Sequence, residues 1–514
     1  MVEGSPEPGF RASMQWLHTW AGLCTGAVLF AVFWMGTLSV FDHEIDRWMM
    51  PATRLAPADL ESVDSLAREL QPLIGGSPQW LVLFPSRREP VARVGYRTQQ
   101  GLPVVRQADP TTSALLPDAG TLGGSGFLYP FHYTLHLRFQ SLGLWIVGLA
   151  GMAWLALCVS GVVIHRKIFA DFFTFRAGNK PRRLILDLHN VAGVLGLPFH
   201  VAITLSGLVI FFTVYFSSAW EMAYRGDRQL FVQESYGIYA RPRAGRPGPP
   251  LASLDAMVAE ASRRWDGGKP QLLRVFHAGD ANAYVEVRRS FVADRVTMPV
   301  DALYFDADSG AVLSSNTAKP LMNVHRFITG FHFIQFDHWS LRWLYFVLGL
   351  LGCALIATGF LFWLESRRRR HAQLGLAGVR FVDGMTVGSV GGIIGATLAF
   401  FVANKLLPPT ASAWGLGRAD LEVGAFYLVW LMAFVHAWMR PRVAWREQCL
   451  AIAALALAAV LLNWVTTDDP LWRSLRQRHL WPVAGMDLLL LAGAAAAGLI
   501  ASGRWPARRM TPRQ

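Results

Sequence analysis

The chain of 514 residues is 53% hydrophobic and only 16% charged, and its formal net charge is +13. Such an apolar composition disfavours an ordinary soluble globular protein and indicates a membrane protein. The basic residues gather on alternate connections between apolar runs, so the positive-inside bias explains the charge, and no nucleic-acid partner is indicated.

Eight apolar runs are long enough to cross roughly 30 Å of hydrocarbon as helices. They lie at residues 16–41, 142–164, 188–216, 341–364, 385–407, 421–438, 449–465 and 482–501. The first run is too long for the core of a cleavable signal peptide and lacks a cleavage pattern of small residues, so we expect it to be retained. The basic connections predict that both termini are cytoplasmic.

Two long segments between spans face away from the cytoplasm, and each has the pattern of a helix followed by short strands. In the second segment Ser253 is a predicted N-cap. The expected fold is therefore a mainly α membrane protein with eight transmembrane helices and two α+β modules outside the cytoplasm. The predicted parts are 1–41 (N-terminus and first span), 42–141 (first module), 142–216 (second and third spans with a basic loop), 217–340 (second module), 341–370 (fourth span and basic loop) and 371–514 (a C-terminal extension of four spans).

The first four spans repeat along the chain. Five residues of the first span recur 171 positions later in the third span without a gap, which is not expected by chance. The matched residues are His18, Ala21, Gly22, Gly36 and Phe41 with His189, Ala192, Gly193, Gly207 and Phe212. Glycines of the second span recur 198 positions later in the fourth, and a two-residue slip pairs His136 with His332. The unit of span, outer module and span is therefore used twice.

The histidines of these four spans are the candidate site residues. Ionisable residues in spans are costly and usually face the bundle interior, paired or bound to a ligand. His18 and His189 start spans that run outward, and His136 and His332 start spans that run inward, which predicts two layers of two imidazoles. Two opposed imidazoles suit the axial positions of a haem iron, whereas zinc usually has four ligands.

Three further histidines are alternative ligands. His200 lies eleven residues after His189 on the same helix face and could replace either partner in one layer. His132 lies one turn before His136, and His325 two turns before His332, where a role on a soluble face is the alternative. Hydrogen bonding at the membrane interface is the alternative role of the other imidazoles. Basic residues near the layers that could pair with haem propionates are Arg138, Arg326, Arg342, Arg166, Lys167, Arg182 and Arg183.

The four spans, with their histidines, resemble the PepSY-associated transmembrane family over about residues 10 to 370. The stretches that carry the resemblance are WLHTWAGL, LHLRFQSLGLWIVGLAGMAWLALCVSGVV, DLHNVAGVLGLPFHVAITLSGLVIF and FHFIQFDHWSLRWLYFVLGLLGCALIATGFLFWL, and YFDADSGAVLSS is similar to the end of a PepSY module. His18, His136, His189 and His332 match the helix-start histidines of the family. The chain departs from the family in FDHWS after His332 and in its four extra C-terminal spans.

The resemblance implies a bacterial inner-membrane protein with b-type haem, two in number here, of the iron-regulated group that includes ferric-siderophore reductases. We therefore expect an oxidoreductase that passes electrons across the bilayer to a ferric siderophore or another ferric chelate on the periplasmic side. The sequence contains no strand-GxGxxG-helix unit, so a separate donor, a quinol or a cytosolic flavoprotein, is expected. Two other classes stay open: a PepSY-type sensor, regulatory or binding protein, and a transporter in which histidines relay protons.

Overall fold

A computed structural model describes residues 9–137, 139–165, 181–290, 296–299, 301–316, 320–374 and 378–503. Within these ranges, eight helices are long and apolar enough to cross a membrane, and each overlaps one predicted run. They are Phe10–Ser39, Leu142–Ile164, Arg182–Ile210, Trp339–Arg367, Gly378–Leu406, Arg418–Met439, Ala444–Thr467 and Arg478–Ala501. The predicted class, a mainly α membrane protein with eight spans and an additional strand-rich part, is confirmed.

The elements of the described chain are given in chain order. The helices are α1 (Phe10–Ser39), α2 (Asp42–Met49), α3 (Val63–Glu69), α4 (Gln71–Ile74), α5 (Tyr129–Thr134), α6 (Leu142–Ile164), α7 (Pro181–Ile210), α8 (Phe212–Tyr215), α9 (Ser217–Ala223), α10 (Arg228–Tyr236), α11 (Leu254–Arg264), α12 (Pro320–Phe333), α13 (Trp339–Gln373), α14 (Gly378–Val387), α15 (Ile393–Leu406), α16 (Arg418–Met439), α17 (Ala444–Thr467), α18 (Leu471–Arg476) and α19 (Trp481–Ala501). The strands are β1 (Gln79–Leu83), β2 (Ala92–Arg97), β3 (Pro103–Ala108), β4 (Pro270–Phe276), β5 (Tyr284–Arg289), β6 (Ala302–Asp306), β7 (Val312–Asn316), β8 (Ser412–Ala413) and β9 (Leu416–Gly417). Two π-helices occupy Gly124–Leu128 and Gly388–Gly392.

The described chain forms two compact units. The first unit comprises Met1–Met49, Gly120–Leu205 and Trp343–Gln514, and the second comprises Met50–Ala119 and Ser206–Arg342. Most residues of the eight spans belong to the first unit, and the large β-sheet belongs to the second.

The seven long strands of the second unit form one antiparallel sheet in the order β3-β2-β1-β4-β5-β6-β7. Strands β1 to β3 come from the first predicted module and β4 to β7 from the second, and the two sets join where β1 pairs with β4, with Val82 opposite Leu273. The sequence predicts two modules but not this junction, because an alternating pattern marks the faces of a strand and not the partner at its edge. The junction pairs backbone groups that would otherwise form exposed strand edges.

Helices α3 and α11 share one hydrophobic core with this sheet, and each helix caps the other. The hydroxyl of Ser62 and the amide of Val63 donate to the carboxylate of Asp255, at 2.6 and 2.7 Å. In the same way, the hydroxyl of Ser253 and the backbone amide of Leu254 donate to the carboxylate of Asp64, at 2.6 and 2.8 Å. Ser253 is the N-cap of α11, as predicted. The reciprocal caps fix the two helices to each other.

Replacing Asp64 by alanine is expected to lower the free energy of unfolding by about 1 to 2 kcal/mol, because the start of α11 loses the acceptor of its cap. Urea unfolding of the purified chain, followed by circular dichroism, measures the change. Asp59→Ala is the matched control, since the Asp59 side chain is 78% exposed in its ion pair with Lys269, and exposed pairs contribute about 0 to 1 kcal/mol. Equal losses in the two variants would contradict the capping role.

In the first unit, buried polar contacts attach α2 to the C-terminal extension. Trp48 of α2 is fully buried, and its indole N–H donates to Asp487 of α19 at 2.7 Å. Its carbonyl accepts from Lys405 at 2.6 Å, and that ammonium group lies 4.1 Å from the centre of the indole ring. Arg47 donates to the carbonyl of His479 at 2.5 Å. The extension is therefore joined to the N-terminal part by directional bonds as well as by apolar packing.

A second buried cluster surrounds Glu422 of α16, which has no exposed surface. Its carboxylate lies 2.9 Å from the guanidinium of Arg418 and accepts from the amide of Asn404 at 3.1 Å. It also accepts from the hydroxyl of Thr121, which precedes the first π-helix. Each oxygen of this carboxylate has a partner, as a buried charge requires.

Candidate functional site

The structure brings His18 and His189 together, as the 171-residue repeat predicts. His18 lies on α1, His189 lies on α7, and their ring centres are 6.4 Å apart with the ring planes at 89°. His18 Nδ1 is 3.0 Å from the hydroxyl of Ser160 on α6. His189 Nδ1 is 3.0 Å from the carbonyl of Leu355 on α13. The second span, α6, thus orients His18, and the fourth span, α13, orients His189.

These hydrogen bonds define which ring nitrogen carries the proton. The carbonyl of Leu355 can only accept, so His189 Nδ1 donates. The hydroxyl of Ser160 donates its own hydrogen to the Leu157 carbonyl at 3.2 Å, so its oxygen accepts from His18 Nδ1. Neither Nε2 has a hydrogen-bond partner among the residues that the structure describes. Both Nε2 atoms therefore keep a lone pair, the form in which histidine binds a metal ion.

A glycine of the facing helix lies against each of these rings. A methyl group on Gly161 would be 3.4 Å from the ring of His18, and a methyl group on Gly359 would be 3.3 Å from that of His189. The two glycines are 198 residues apart, the offset found between the second and fourth spans. Because these glycines have no side chain, the helix backbone packs directly against both imidazoles.

His132 and His332 occupy a second pair of equivalent positions in the repeat. His132 Nδ1 donates to the carbonyl of Val32 at 2.8 Å, and a methyl group on Gly36 would lie 2.6 Å from its ring. In the second unit, His332 Nδ1 is 3.0 Å from the hydroxyl of Ser206. A methyl group on Gly207, the repeat counterpart of Gly36, would lie 2.8 Å from the His332 ring.

The position equivalent to His332 thus belongs to His132, whereas the sequence alignment pairs His136 with His332. The reason lies in where the two helices end. Helix α5 ends at Thr134 and α12 ends at Phe333, so His132 and His332 both lie in a last helical turn. Leu135 and His136 have φ values of 52° and 55°, which end the helix before His136. The ring of His136 instead packs on Phe127, with centres 5.3 Å apart.

Of the two remaining candidate ligands, His200 is 1% exposed. Its Nε2 donates to the carbonyl of Leu348 at 3.1 Å, and Nδ1 has no partner among the described residues. The ring of His200 lies between Phe33 and Trp154, with centres 5.6 Å from each. Nδ1 therefore keeps its lone pair, and the ligand role of His200 stays a prediction.

His325 lies two turns before His332 on α12, where it contacts a hydroxyl and two aromatic rings. Its Nδ1 is 3.4 Å from the hydroxyl of Thr329, and its ring centre is 6.3 Å from those of both Phe212 and Tyr236. Burial lowers the pKa of His325. The buried Nε2 of His325 has no hydrogen-bond partner among the described residues, and its ligand role stays a prediction.

The basic candidates for propionate contacts differ in their surroundings. Arg326 donates to the Met298 carbonyl at 2.6 Å, Arg342 is fully buried over the ring of Trp339, and Arg183 pairs with Asp187 at 3.1 Å. The guanidinium of Arg182 lies 5.8 Å from the ring centre of Phe362. Outside the described residues lie Arg138, Arg166 and Lys167.

Sequence reasoning missed the hydroxyl groups that hold these imidazoles. Ser160, Ser206 and Thr358 each directly precede a glycine that faces a histidine, and Thr358 lies 3.3 Å from His189. The repeated dipeptide of a hydroxyl residue and glycine was the signal that could have found them. A small hydrogen-bonding group beside a glycine both orients a ring and makes space for it.

Taken together, these features define a membrane protein of eight spans in which an internal repeat sets histidines against glycines on the first four. The chain belongs to the PepSY-associated TM region family, whose sequence profile matches residues 15–366. The resemblance inferred from the sequence is thereby confirmed. The chain is also similar to the Uncharacterized protein PA4219 of Pseudomonas aeruginosa, with 29% identity over 403 residues, covering 74% of this chain and 89% of the relative.

Proposed function

We propose that this protein is a haem-dependent membrane reductase that delivers electrons to ferric chelates. The observation that carries the proposal is the His18–His189 pair: two imidazoles with Nδ1 engaged, Nε2 without a partner among the described residues, and ring centres 6.4 Å apart. Two imidazoles that share one iron lie roughly 6 to 6.5 Å apart, given metal–nitrogen bonds of about 2 Å and about 1.2 Å from nitrogen to ring centre. The separation of the two rings therefore fits a haem that both imidazoles would hold.

Each part of the site has a role under this proposal. His18 and His189 would hold the haem iron through Nε2, and Ser160 and the Leu355 carbonyl fix the protonation of the two rings. The glycines that face the rings let the helix backbone pack directly against them. A bound b-type haem supplies a one-electron couple, whose potential depends on axial imidazoles and burial. The family's range, residues 15–366, contains all of these residues.

The repeat extends the proposal to a second haem. His132 and His332 are each a candidate ligand, because each lies in a last helical turn with Nδ1 hydrogen-bonded and a glycine against the ring. His136, the alternative from the sequence, packs on Phe127 just beyond the helix end. His200 keeps a lone pair on Nδ1 and stays an alternative ligand.

The substrate and location follow from the family resemblance and the charge pattern. We propose that the chain lies in the inner membrane with both termini cytoplasmic, in line with its basic connections. A quinol or a cytosolic flavoprotein would donate electrons, and a ferric siderophore or similar chelate would accept them on the periplasmic side. Hard oxygen ligands hold ferric iron more tightly than ferrous iron, so reduction would release the metal.

The test is to purify the chain from cells supplied with a haem precursor, reduce it anaerobically, and add ferric chelates. We expect about two haems per chain, sharp reduced α and β bands, and reoxidation on addition of the chelate. Ferric-loaded and gallium-loaded forms of one siderophore make a matched pair, since gallium(III) has the same charge but does not accept the electron. A folded, colourless protein would refute the proposal and favour a sensor or a proton-relaying transporter.

A further inference from the structure

The segment of residues 120–136, here called the histidine segment, contains the first π-helix, α5 with His132, and His136. Its backbone turns sharply at both ends: Gly120 and Gly123 have φ values of 61° and 64°, and Leu135 and His136 have 52° and 55°. Positive φ at non-glycine residues persists only where surrounding contacts maintain it. The contacts that maintain this segment therefore decide where the ring of His132 lies.

On one side the segment is held by the N-terminal helices. His132 Nδ1 donates to the carbonyl of Val32 on α1. The carboxylate of Asp46 on α2 accepts from the amides of Gly124 and Ser125, at 2.6 and 3.1 Å, and so caps the π-helix. Burial raises the pKa of Asp46 to about 6, against the opposing effects of nearby His43 and of these hydrogen bonds.

On the other side the segment is held by one face of α16, in the C-terminal extension. Glu422, Phe426, Tyr427 and Trp430 recur at the spacing of a single helix face. Glu422 accepts from Thr121 at the start of the segment. Phe426 and Trp430 contact the middle of the histidine segment, and Tyr427 contacts its end.

Phe426 and Trp430 pack against the aromatic side chains of the segment. The ring centre of Phe426 lies 5.2 Å from that of Phe127 and 5.6 Å from that of Phe131. The ring centre of Trp430 lies 6.0 Å from that of Phe131, and Phe131 directly precedes His132. Phe400 of α15 adds a further contact to Phe127, at 4.8 Å.

Tyr427 makes the contact nearest the helix end. Its hydroxyl donates to the carbonyl of Leu135 at 3.1 Å. Leu135 is the residue at which α5 stops, and its own amide donates to the carbonyl of Phe131 at 2.8 Å. The hydroxyl thus bonds the residue whose amide closes the last turn of α5, the turn that contains His132.

We infer that the C-terminal extension positions the candidate haem ligand His132, with Tyr427 as the positioning residue and the α16 face as its support. The inference rests on the proposed function for the identity of the ligand. It also assigns a role to a region outside residues 15–366, the range that matches the family. A chain with the four family spans alone would need another support at this place.

The test compares Tyr427→Phe, which removes one hydroxyl and keeps the ring, with Tyr345→Phe. Tyr345 is a buried tyrosine of α13 that packs on Phe199 of α7, with ring centres 5.1 Å apart. Hydrogen–deuterium exchange is measured on the haem-free full-length chain in detergent. Loss of one hydrogen bond is expected to speed exchange at the amides of Leu135, His136 and Leu137 by roughly 2- to 10-fold, with no change in the Tyr345→Phe chain.

The same two variants, loaded with haem, are then titrated electrochemically and examined by electron paramagnetic resonance. We expect Tyr427→Phe to shift the midpoint potential and low-spin signal of one haem while the other stays unchanged. Unchanged exchange in Tyr427→Phe, or faster exchange with both haem signals unchanged, would overturn the inference. A wild-type chain that binds no haem would instead refute the proposed function, and the exchange result would still decide whether Tyr427 holds the segment.

Discussion

Under the proposed function, His18→Ala is expected to purify with about half the haem of the wild-type chain. The ring centre of His18 lies 6.4 Å from that of His189, and its loss would leave only one imidazole to hold the proposed haem. A b-type haem is held by its axial ligands and by burial, so a site with one ligand removed and a cavity in its place would lose most of its occupancy. The haem-to-protein ratio, measured from the reduced spectrum and the amino-acid content, gives the result directly.

His436→Ala is the matched control for this variant. His436 also lies on a membrane-spanning helix, but it has no counterpart in the repeat and pairs with Glu447 at 2.7 Å. Under the same proposal, His436→Ala should keep the haem content of the wild-type chain. Full haem content in His18→Ala, or equal loss in the two variants, would be incompatible with His18 as a ligand.

Glu422→Gln is expected to destabilise the whole chain by about 3 to 5 kcal/mol, the usual cost of removing one partner from a buried ion pair. Arg418 would keep its charge in a position where it is only 8% exposed. The bonds from Asn404 and Thr121 would then meet a neutral amide with fewer accepting sites. Thermal unfolding in a fixed detergent, followed by circular dichroism, measures the loss as a lower midpoint temperature.

Glu447→Gln is the control for Glu422→Gln, because it removes a carboxylate at a more exposed position. The Glu447 side chain is 32% exposed and pairs with His436 and Arg440. Solvent screens such a pair, so the expected loss is about 1 kcal/mol or less. If the two glutamate variants unfold at the same temperature, burial of the Glu422 cluster is not what stabilises the attachment of the extension.

The sequence predicts much of the helical framework because length and hydropathy define a span. The repeat without gaps also predicts that equivalent residues of the first and third spans lie on equivalent helix faces. For this reason the sequence predicts the pairing of His18 with His189, whose ring centres lie 6.4 Å apart. The position of His132, rather than His136, as the counterpart of His332 was not predictable in this way. It depends on two residues with positive φ at the end of α5, which neither hydropathy nor residue identity indicates.

Two other features lie beyond pattern reasoning for a related reason. The pairing of β1 with β4 and the bond from Trp48 to Asp487 both join residues far apart in the chain. Local periodicity reports which side of an element is apolar, but it carries no information about which distant polar group completes a hydrogen bond. The aspartate in a predicted span, Asp487, was a visible anomaly whose partner only the structure supplies.

The shared sheet has a consequence for how the chain is made. Strand β1 ends at Leu83, whereas its partner β4 begins at Pro270. At a synthesis rate of about 5 to 20 residues per second, the edge of β1 would wait roughly 10 to 40 s for its neighbour. During that interval the unpaired edge of β1 can pair with a strand of another chain. The ribosome-bound intermediate is therefore more exposed to mispairing than the finished protein, and it is the form most in need of a chaperone.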